Sequence, residues 1–338
     1  MWLTGGPGCS SVLALLSENG PCSVAADGKS TVANPYSWNA NATVIWLDQP
    51  AGVGFSYGTE NDKNEDMVRM RFHLLFHVAR DVLSASGCGP EAISTAYRAH
   101  THTRPHTATP SCCLPHHNTV HTLQTAQVGE DAFFFLQSLF AAHPEYASGG
   151  QEFFVFGESF GGHYAPGVAH MILTKNNEGG YPLKINLAGL GLGNGLTDPV
   201  TQYQYYPEMA MNNSYGIKTV SEDTYASMVE HVPDCVALGE TCNNGGTEQQ
   251  CKLAQTLCGA WETSPYYATG LNPYDIRIPC EVPGLCYNFS MVDIWLTDPA
   301  VLSALHVRSE SATWESCNYD VNGDFGSDWM KGYQVSWW

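Results

Sequence analysis

The sequence predicts an α/β fold built on a largely parallel sheet covered on both faces, with a cysteine-stapled subdomain inserted over one end. Three observations carry this. Apolar, β-branched and aromatic runs alternate with stretches of helical spacing along most of the chain. The run Phe153-Phe154-Val155-Phe156 leads straight into Gly157-Glu158-Ser159-Phe160-Gly161, a G-x-S-x-G at a strand-to-helix turn. Residues 200–290 then become dense in cysteine and tyrosine with few long apolar runs, as expected of a small segment that relies on cross-links.

Taken in order, the chain opens inside a strand, because Met1-Trp2-Leu3 leads directly into the loop Thr4-Gly5-Gly6-Pro7-Gly8. Thr43 to Asp48 reads as the next strand and ends at a Gln49-Pro50-Ala51-Gly52 turn. Residues 129–141 have the spacing of an amphipathic helix through Phe133, Leu136, Gln137 and Phe140. The strand and helix around Ser159 follow, and then a strand from Ile185 to Gly191. Asp293 to Val307 returns to helical periodicity through Ile294, Leu296, Val301, Leu305 and Val307.

The chemistry implied by Gly157-Glu158-Ser159-Phe160-Gly161 is that of a nucleophile elbow. A serine on a sharp turn between strand and helix needs small neighbours, because flanking side chains would meet backbone. Its hydroxyl would then stand above the sheet. Acyl transfer at such a serine also needs N–H groups aimed at the developing oxyanion, and the glycine-rich loop after the first strand can supply them.

Several stretches together carry a specific resemblance: Trp2-Leu3-Thr4-Gly5-Gly6-Pro7-Gly8-Cys9-Ser10-Ser11, Ile45-Trp46-Leu47-Asp48-Gln49-Pro50-Ala51-Gly52-Val53-Gly54-Phe55-Ser56-Tyr57, the elbow, Leu192-Gly193-Asn194-Gly195-Leu196-Thr197-Asp198-Pro199, Glu315-Ser316-Cys317-Asn318 and Asp328-Trp329-Met330-Lys331. The sequence resembles the serine carboxypeptidase family over most of residues 1–66 and 128–334. That resemblance implies an α/β-hydrolase fold with a disulfide-stapled lid insertion and with its C-terminal strands missing. The division is a core over 1–199, a lid over 200–290 and a return to the core over 291–338.

The same resemblance implies an enzyme that releases C-terminal residues from peptides through an acyl-enzyme at acidic pH, without metal or other cofactor. Ser159 is the expected nucleophile, with the N–H groups of Gly6 and Phe160 as oxyanion donors. Trp2, Thr4, Gly5, Glu18 and Glu158 align with residues that recognise the substrate's terminal carboxylate. The family usually has Asn at the Thr4 position, so an amide donor is replaced by a hydroxyl. Glu18 and Glu158, facing a substrate carboxylate, cannot all ionise cheaply, which predicts tighter peptide binding in acid. The family's triad acid and base lie in glycine-containing motifs that do not occur before residue 338, and His163, His170, His231 and His306 read as structural. The chain as it stands is therefore expected to be inactive. The rival readings are a carboxypeptidase-like acyltransferase, disfavoured by Glu158 where Asp is typical, and a non-catalytic hydrolase-fold remnant.

Composition agrees with this. A net charge of −19 disfavours nucleic acid and anionic membranes as partners, and no apolar run is long enough to span a bilayer. The partners implied are peptide or protein C-termini; composition does not bear on oligomeric state. Twelve cysteines and sequons at Asn41, Asn212 and Asn288 suit a vacuolar, lysosomal or secreted glycoprotein, although no signal peptide precedes Met1. Spacing does not determine the cysteine connectivity. By resemblance, Cys9 pairs with Cys317, Cys235 with Cys258, Cys242 with Cys251 and Cys280 with Cys286. A zinc site from Cys235, Cys242, Cys251 and Cys258 lacks short C-x-x-C spacing.

Residues 68–127 differ from the rest, carrying eight of the thirteen histidines and only Asp81 and Glu91 as acids. Metal capture by Cys112, Cys113, His116, His117 and His121 fits tetrahedral geometry poorly. The preferred reading is disordered retained-intron sequence, with Val68-Arg69 and Gln127 at its junctions and a similar donor-like Val335-Ser336 before Trp337-Trp338.

Overall fold

The computed structural model describes residues 1–57, 76–79, 125–307 and 313–333. Its strands are β1 (Trp2–Leu3), β2 (Cys22–Val24), β3 (Thr31–Ala33), β4 (Val44–Leu47), β5 (Phe76–Ala79), β6 (Phe153–Glu158), β7 (Leu187–Gly193), β8 (Leu271–Asn272) and β9 (Asp275–Pro279). The principal helices are α1 (Val12–Ser17), α2 (Thr125–Ala142), α3 (Gly161–Glu178), α4 (Glu222–Asn243), α5 (Glu248–Cys258), α6 (Ser290–Thr297), α7 (Pro299–Ala304) and α8 (Tyr319–Asp324). Five strands form the central sheet in the order β5-β4-β1-β6-β7. The β4-β1-β6-β7 run is parallel, and β5 joins β4 antiparallel, Trp46 opposite His77.

Strand alternation sorts the core into two layers. Leu3, Ile45, Leu47 and Val155 face α2 and α3, where Val128, Phe133, Leu136, Phe140, Tyr164 and Val168 are buried. Trp2, Val44 and Trp46, one residue out of phase, face α1 and the α6–α7 pair through Leu13, Leu16, Trp295 and Leu296. A one-residue slip in either strand would exchange these two sets.

Several element limits differ from the sequence reading for local reasons. The helix expected over 129–141 begins at Thr125, whose backbone N–H donates to the Asp328 carboxylate at 2.7 Å, a partner 203 residues away. The single helical stretch expected over 293–307 is two helices. Asp298 adopts an extended ψ of 124° before Pro299, and its carboxylate caps α7 by accepting from the Ala300 N–H at 2.7 Å. Strand β5 and the first three residues of α2 fall within the segment read as an insert; Cys112, Cys113, His116, His117, His121 and Val335–Trp338 lie outside the described residues.

The lid is more helical than its composition suggests. Ser221 caps α4 by accepting from the Thr224 N–H at 3.1 Å, and Thr247 with Gln250 forms a capping box at the start of α5. Cys235 and Cys242 lie seven residues apart on α4, as do Cys251 and Cys258 on α5, so each pair shares a helix face. Antiparallel packing then joins Cys242 to Cys251 near the turn and Cys235 to Cys258 further along. Cys280 is joined to Cys286 beyond β9. Cys9 is joined to Cys317 across 308 residues, tying the glycine loop to the segment before α8.

Candidate active site

Ser159 follows β6 and precedes α3 with φ at +56°, in the left-handed region that a non-glycine residue occupies only when its surroundings force it. Those surroundings are visible. Ser159 donates its N–H to Gly193 O at 3.1 Å, and its carbonyl accepts from Leu196 at 2.8 Å and Gly162 at 2.9 Å. A Cβ on Gly157 would sit 2.1 Å from the Gly161 carbonyl oxygen, and one on Gly161 would sit 2.5 Å from that of Leu3. Both glycines of the G-x-S-x-G are thus required by contact with backbone. Ser159 itself is exposed, while Phe160 beside it is buried.

The glycine loop lies against this elbow. A Cβ on Gly5 would fall 2.3 Å from the Phe160 backbone nitrogen, so the glycine loop and the start of α3 touch here without side chains between them. The loop is held from behind: Cys9 N–H donates to Gly5 O at 3.1 Å, Asn318 N–H to Gly8 O at 2.9 Å and Asn322 Nδ2 to Pro7 O at 2.9 Å. Gly6 has φ +109° and the Gly6–Pro7 bond is cis. Neither the Gly6 nor the Phe160 N–H has a hydrogen-bond partner among the described residues, which leaves two neighbouring donors beside Ser159.

The residues expected to read a terminal carboxylate gather on the same side. Trp2 and Thr4 are buried, and the Trp2 indole N–H donates to Thr4 Oγ1 at 3.1 Å while the Thr4 N–H donates to Ser11 Oγ at 3.0 Å. Trp2 also packs edge-on against Trp38 with ring centroids 5.2 Å apart. Glu18, at the end of α1, shares a hydrogen bond with Glu158, the residue before the nucleophile. Crowding by surrounding protein, then the charge and hydrogen bond of Glu158, push Glu18 up to about 8. Burial raises Glu158 as well, against the hydrogen bond from Glu18. The pair therefore keeps a proton between its two carboxyls at neutral pH.

Two supporting residues, Asp48 and Asp328, escaped the sequence reading of the site, and His163, read there as structural, braces it as well. Asp48 is fully buried under the loop, accepting from Ser10 Oγ at 2.6 Å and from the Phe55 N–H at 3.2 Å. Burial pushes it up to about 6 despite those donors. His163 stacks on Phe160 at 4.3 Å and bonds through Nδ1 to the carbonyl of Leu196, the residue whose N–H holds Ser159. Burial lowers His163, so it is a neutral brace. Asp328 is fully buried and accepts from Thr125, Lys331 and Tyr333; burial alone would raise it, but Thr125 and Lys331 outweigh that and hold it below the usual carboxylate range. Only long-range pairing distinguishes these residues, and the one local signal was their place in motifs. Among the described residues no histidine hydrogen-bonds Ser159: His163 points to Leu196, His231 stacks on Trp261, and His170 and His306 are exposed. Nor do those residues hold any group of three or more His, Cys, Asp or Glu side chains suited to a metal, or any helix long and apolar enough to cross a membrane.

A family described as serine carboxypeptidase matches residues 1–336. Carboxypeptidase Y of Saccharomyces cerevisiae is 34% identical over 339 aligned residues, which cover 99% of this chain and 51% of that protein. Carboxypeptidase Y of Candida albicans is 34% identical over 99% of this chain and 49% of its own length, and carboxypeptidase Y homolog A of Trichophyton equinum 35% identical over 98% and 49%. The chain thus spans about half the length of these relatives. Among solved structures, Kex1(Δ)p, a prohormone-processing carboxypeptidase from Saccharomyces cerevisiae, superposes with a TM-score of 0.66 at 24% identity, over 98% of this chain and 60% of that one.

Proposed function

Because this chain belongs to the serine carboxypeptidase family and has its α/β-hydrolase fold, we propose that it carries the elbow, oxyanion loop and carboxylate-binding side of a serine-type exopeptidase that removes C-terminal residues from peptides. The observation that carries the reading is the Glu18–Glu158 pair beside Ser159. A shared proton there offers a donor to a substrate's free terminal carboxylate, where two ionised glutamates would repel it. Ser159 would attack the adjacent carbonyl carbon; that carbonyl's electron pair moves to oxygen, held by the Gly6 and Phe160 N–H groups. Collapse to the acyl-enzyme expels the C-terminal amino acid as its amine once that nitrogen is protonated, and water then hydrolyses the ester.

Proton transfer needs a general base within hydrogen-bond reach of Ser159, and none of the described histidines is so placed. The four disulfides that join described residues to one another support synthesis through an oxidising compartment, and with it a vacuolar, lysosomal or secreted location.

The test is calorimetric titration with a blocked dipeptide bearing a free C-terminal carboxylate and with its C-terminal amide, at pH 5 and pH 8. The expected result is preference for the free carboxylate by about tenfold or more at pH 5, as a charge-assisted contact gives. It should shrink at pH 8 and vanish in Glu158→Ala. Equal affinity for amide and acid at pH 5 would overturn the reading.

A further inference from the structure

Glu262 is the least accountable charge-bearing residue outside the site. It is 0% exposed, and neither carboxyl oxygen has a hydrogen-bond partner among the described residues. It lies in a single π-helical turn, Gly259–Thr263, directly after α5, closed by the Ser264 N–H donating to Gly259 O and reinforced by Thr263 Oγ1 on the same carbonyl at 2.9 Å. Such turns are rare, and they occur frequently at functional sites.

The groups within electrostatic reach of it are phenols. Tyr203 and Tyr266 lie within electrostatic reach, with Tyr206 between them at ring distances of 5.0 and 6.2 Å, and Tyr267 beyond Tyr206. From α4, His231 stacks at 4.5 Å on the neighbouring Trp261 and lies 4.0 Å from Asp234. Elsewhere on the packed helices, Lys252 is paired with Glu248 at 2.7 Å, and Glu208 takes the Asn212 amide at 3.0 Å. Among the described residues no cation is placed to neutralise a Glu262 carboxylate. Burial pushes its carboxyl up to about 7.

The turn is also mechanically connected to the elbow. Tyr203 OH accepts from Trp329 Nε1 at 3.0 Å, and the Trp329 ring lies 5.3 Å from Phe160. Trp261, Leu196 and Trp329 pack against the disulfide-stapled core of α4 and α5.

We propose that Glu262 is a proton-operated latch on the lid: protonated, it lets the turn stay shut against Tyr203 and Tyr266; ionised, it draws the turn open to water and frees the lid from Trp329. Leaving an ionised carboxylate buried and unpaired costs more than local opening of a single turn. The lid should accordingly be tight in acid and loose above neutrality. This stands on the lid's own packing and does not require the peptidase reading.

Hydrogen–deuterium exchange of the intact, disulfide-bonded chain tests it, read on peptides covering 259–267 and corrected for intrinsic exchange. Protection in the wild type should fall by about tenfold or more from pH 5 to pH 8, as linkage to a carboxyl raised by burial requires. In Glu262→Gln, and in Glu262→Leu should the amide destabilise the turn, protection should be the same at both pH values. Flat protection in the wild type would overturn the latch, and so would an equal loss in whichever substituted chain folds, since another group would then be responsible.

Discussion

Gly161 shows how little freedom the nucleophile's neighbourhood has. A methyl there would meet the Leu3 carbonyl oxygen at 2.5 Å, so Gly161→Ala must push β1 away from α3 or unwind the elbow. The expected cost is about 2–3 kcal/mol, the usual scale of overpacking against backbone that cannot move. Gly193→Ala, at a position with nothing within 4 Å of the added methyl, should change stability by less than about 0.5 kcal/mol. Denaturant midpoints of the two variants decide this; equal midpoints would mean the elbow is softer than its contacts imply. Thr4 poses a second residue-scale question. It takes the Trp2 indole proton on its hydroxyl, and an Asn could take that proton on its amide oxygen and still donate an N–H to a bound carboxylate. Thr4→Asn should therefore bind a free-carboxylate dipeptide more tightly by about threefold to tenfold, the worth of one added hydrogen bond. No gain over the wild type in titration would place Thr4 outside the binding set.

At the scale of elements, the lid depends on its staples more than on a core. The buried cluster joining α4 and α5 consists mostly of the four half-cystines with Tyr203, Ala254 and Met330. Replacing Cys235 and Cys258 together by Ser opens a 23-residue loop, worth about 3 kcal/mol if the cross-link acts by restricting the unfolded chain. The loss should appear first as lid-specific proteolysis between α4 and α5, with the sheet intact by far-ultraviolet dichroism. Simultaneous collapse of both would show that lid and sheet fold as one unit. The same helices mark a limit of local reading. Their seven-residue cysteine spacing is a helical signal, but it is read as such only once Ser221 and Thr247 are recognised as caps.

The whole molecule is biased toward acid. Glu18, Asp48 and Glu262 are pushed up to about 8, 6 and 7, and Glu158 is raised as well. A carboxyl raised by folding binds protons more tightly in the native state, so its contribution is full below the ordinary carboxylate value and is lost as pH rises through the raised one. Asp328 has the opposite sign: held below its ordinary value, it stabilises above that value and its contribution fades as pH falls below it. The melting temperature should therefore peak near pH 4, close to the ordinary carboxylate values, fall toward pH 8, and fall again in strong acid. Asp48→Asn should flatten the decline between about pH 4 and pH 6 specifically, since that is the window between the ordinary and raised values. A melting temperature that keeps rising from pH 5 to pH 8 would contradict the assignment of these raised carboxyls.

Patterns that live within ten or so residues were legible without coordinates. The alternation in β1 and β4, the aromatic run of β6 and the glycine spacing around Ser159 each encode a local conformation, because backbone sterics and side-chain period act over a few residues. From them follow the α/β class, the elbow and, by resemblance, the residues gathered beside it. Tertiary structure alone decided the rest. That Asp328 receives the N–H of Thr125, that His163 braces Leu196, and that Glu262 is sealed without a partner depend on which distant segments meet. Burial and pairing are set by those meetings, and the charge state of a carboxyl follows from burial and pairing, not from its neighbours in sequence.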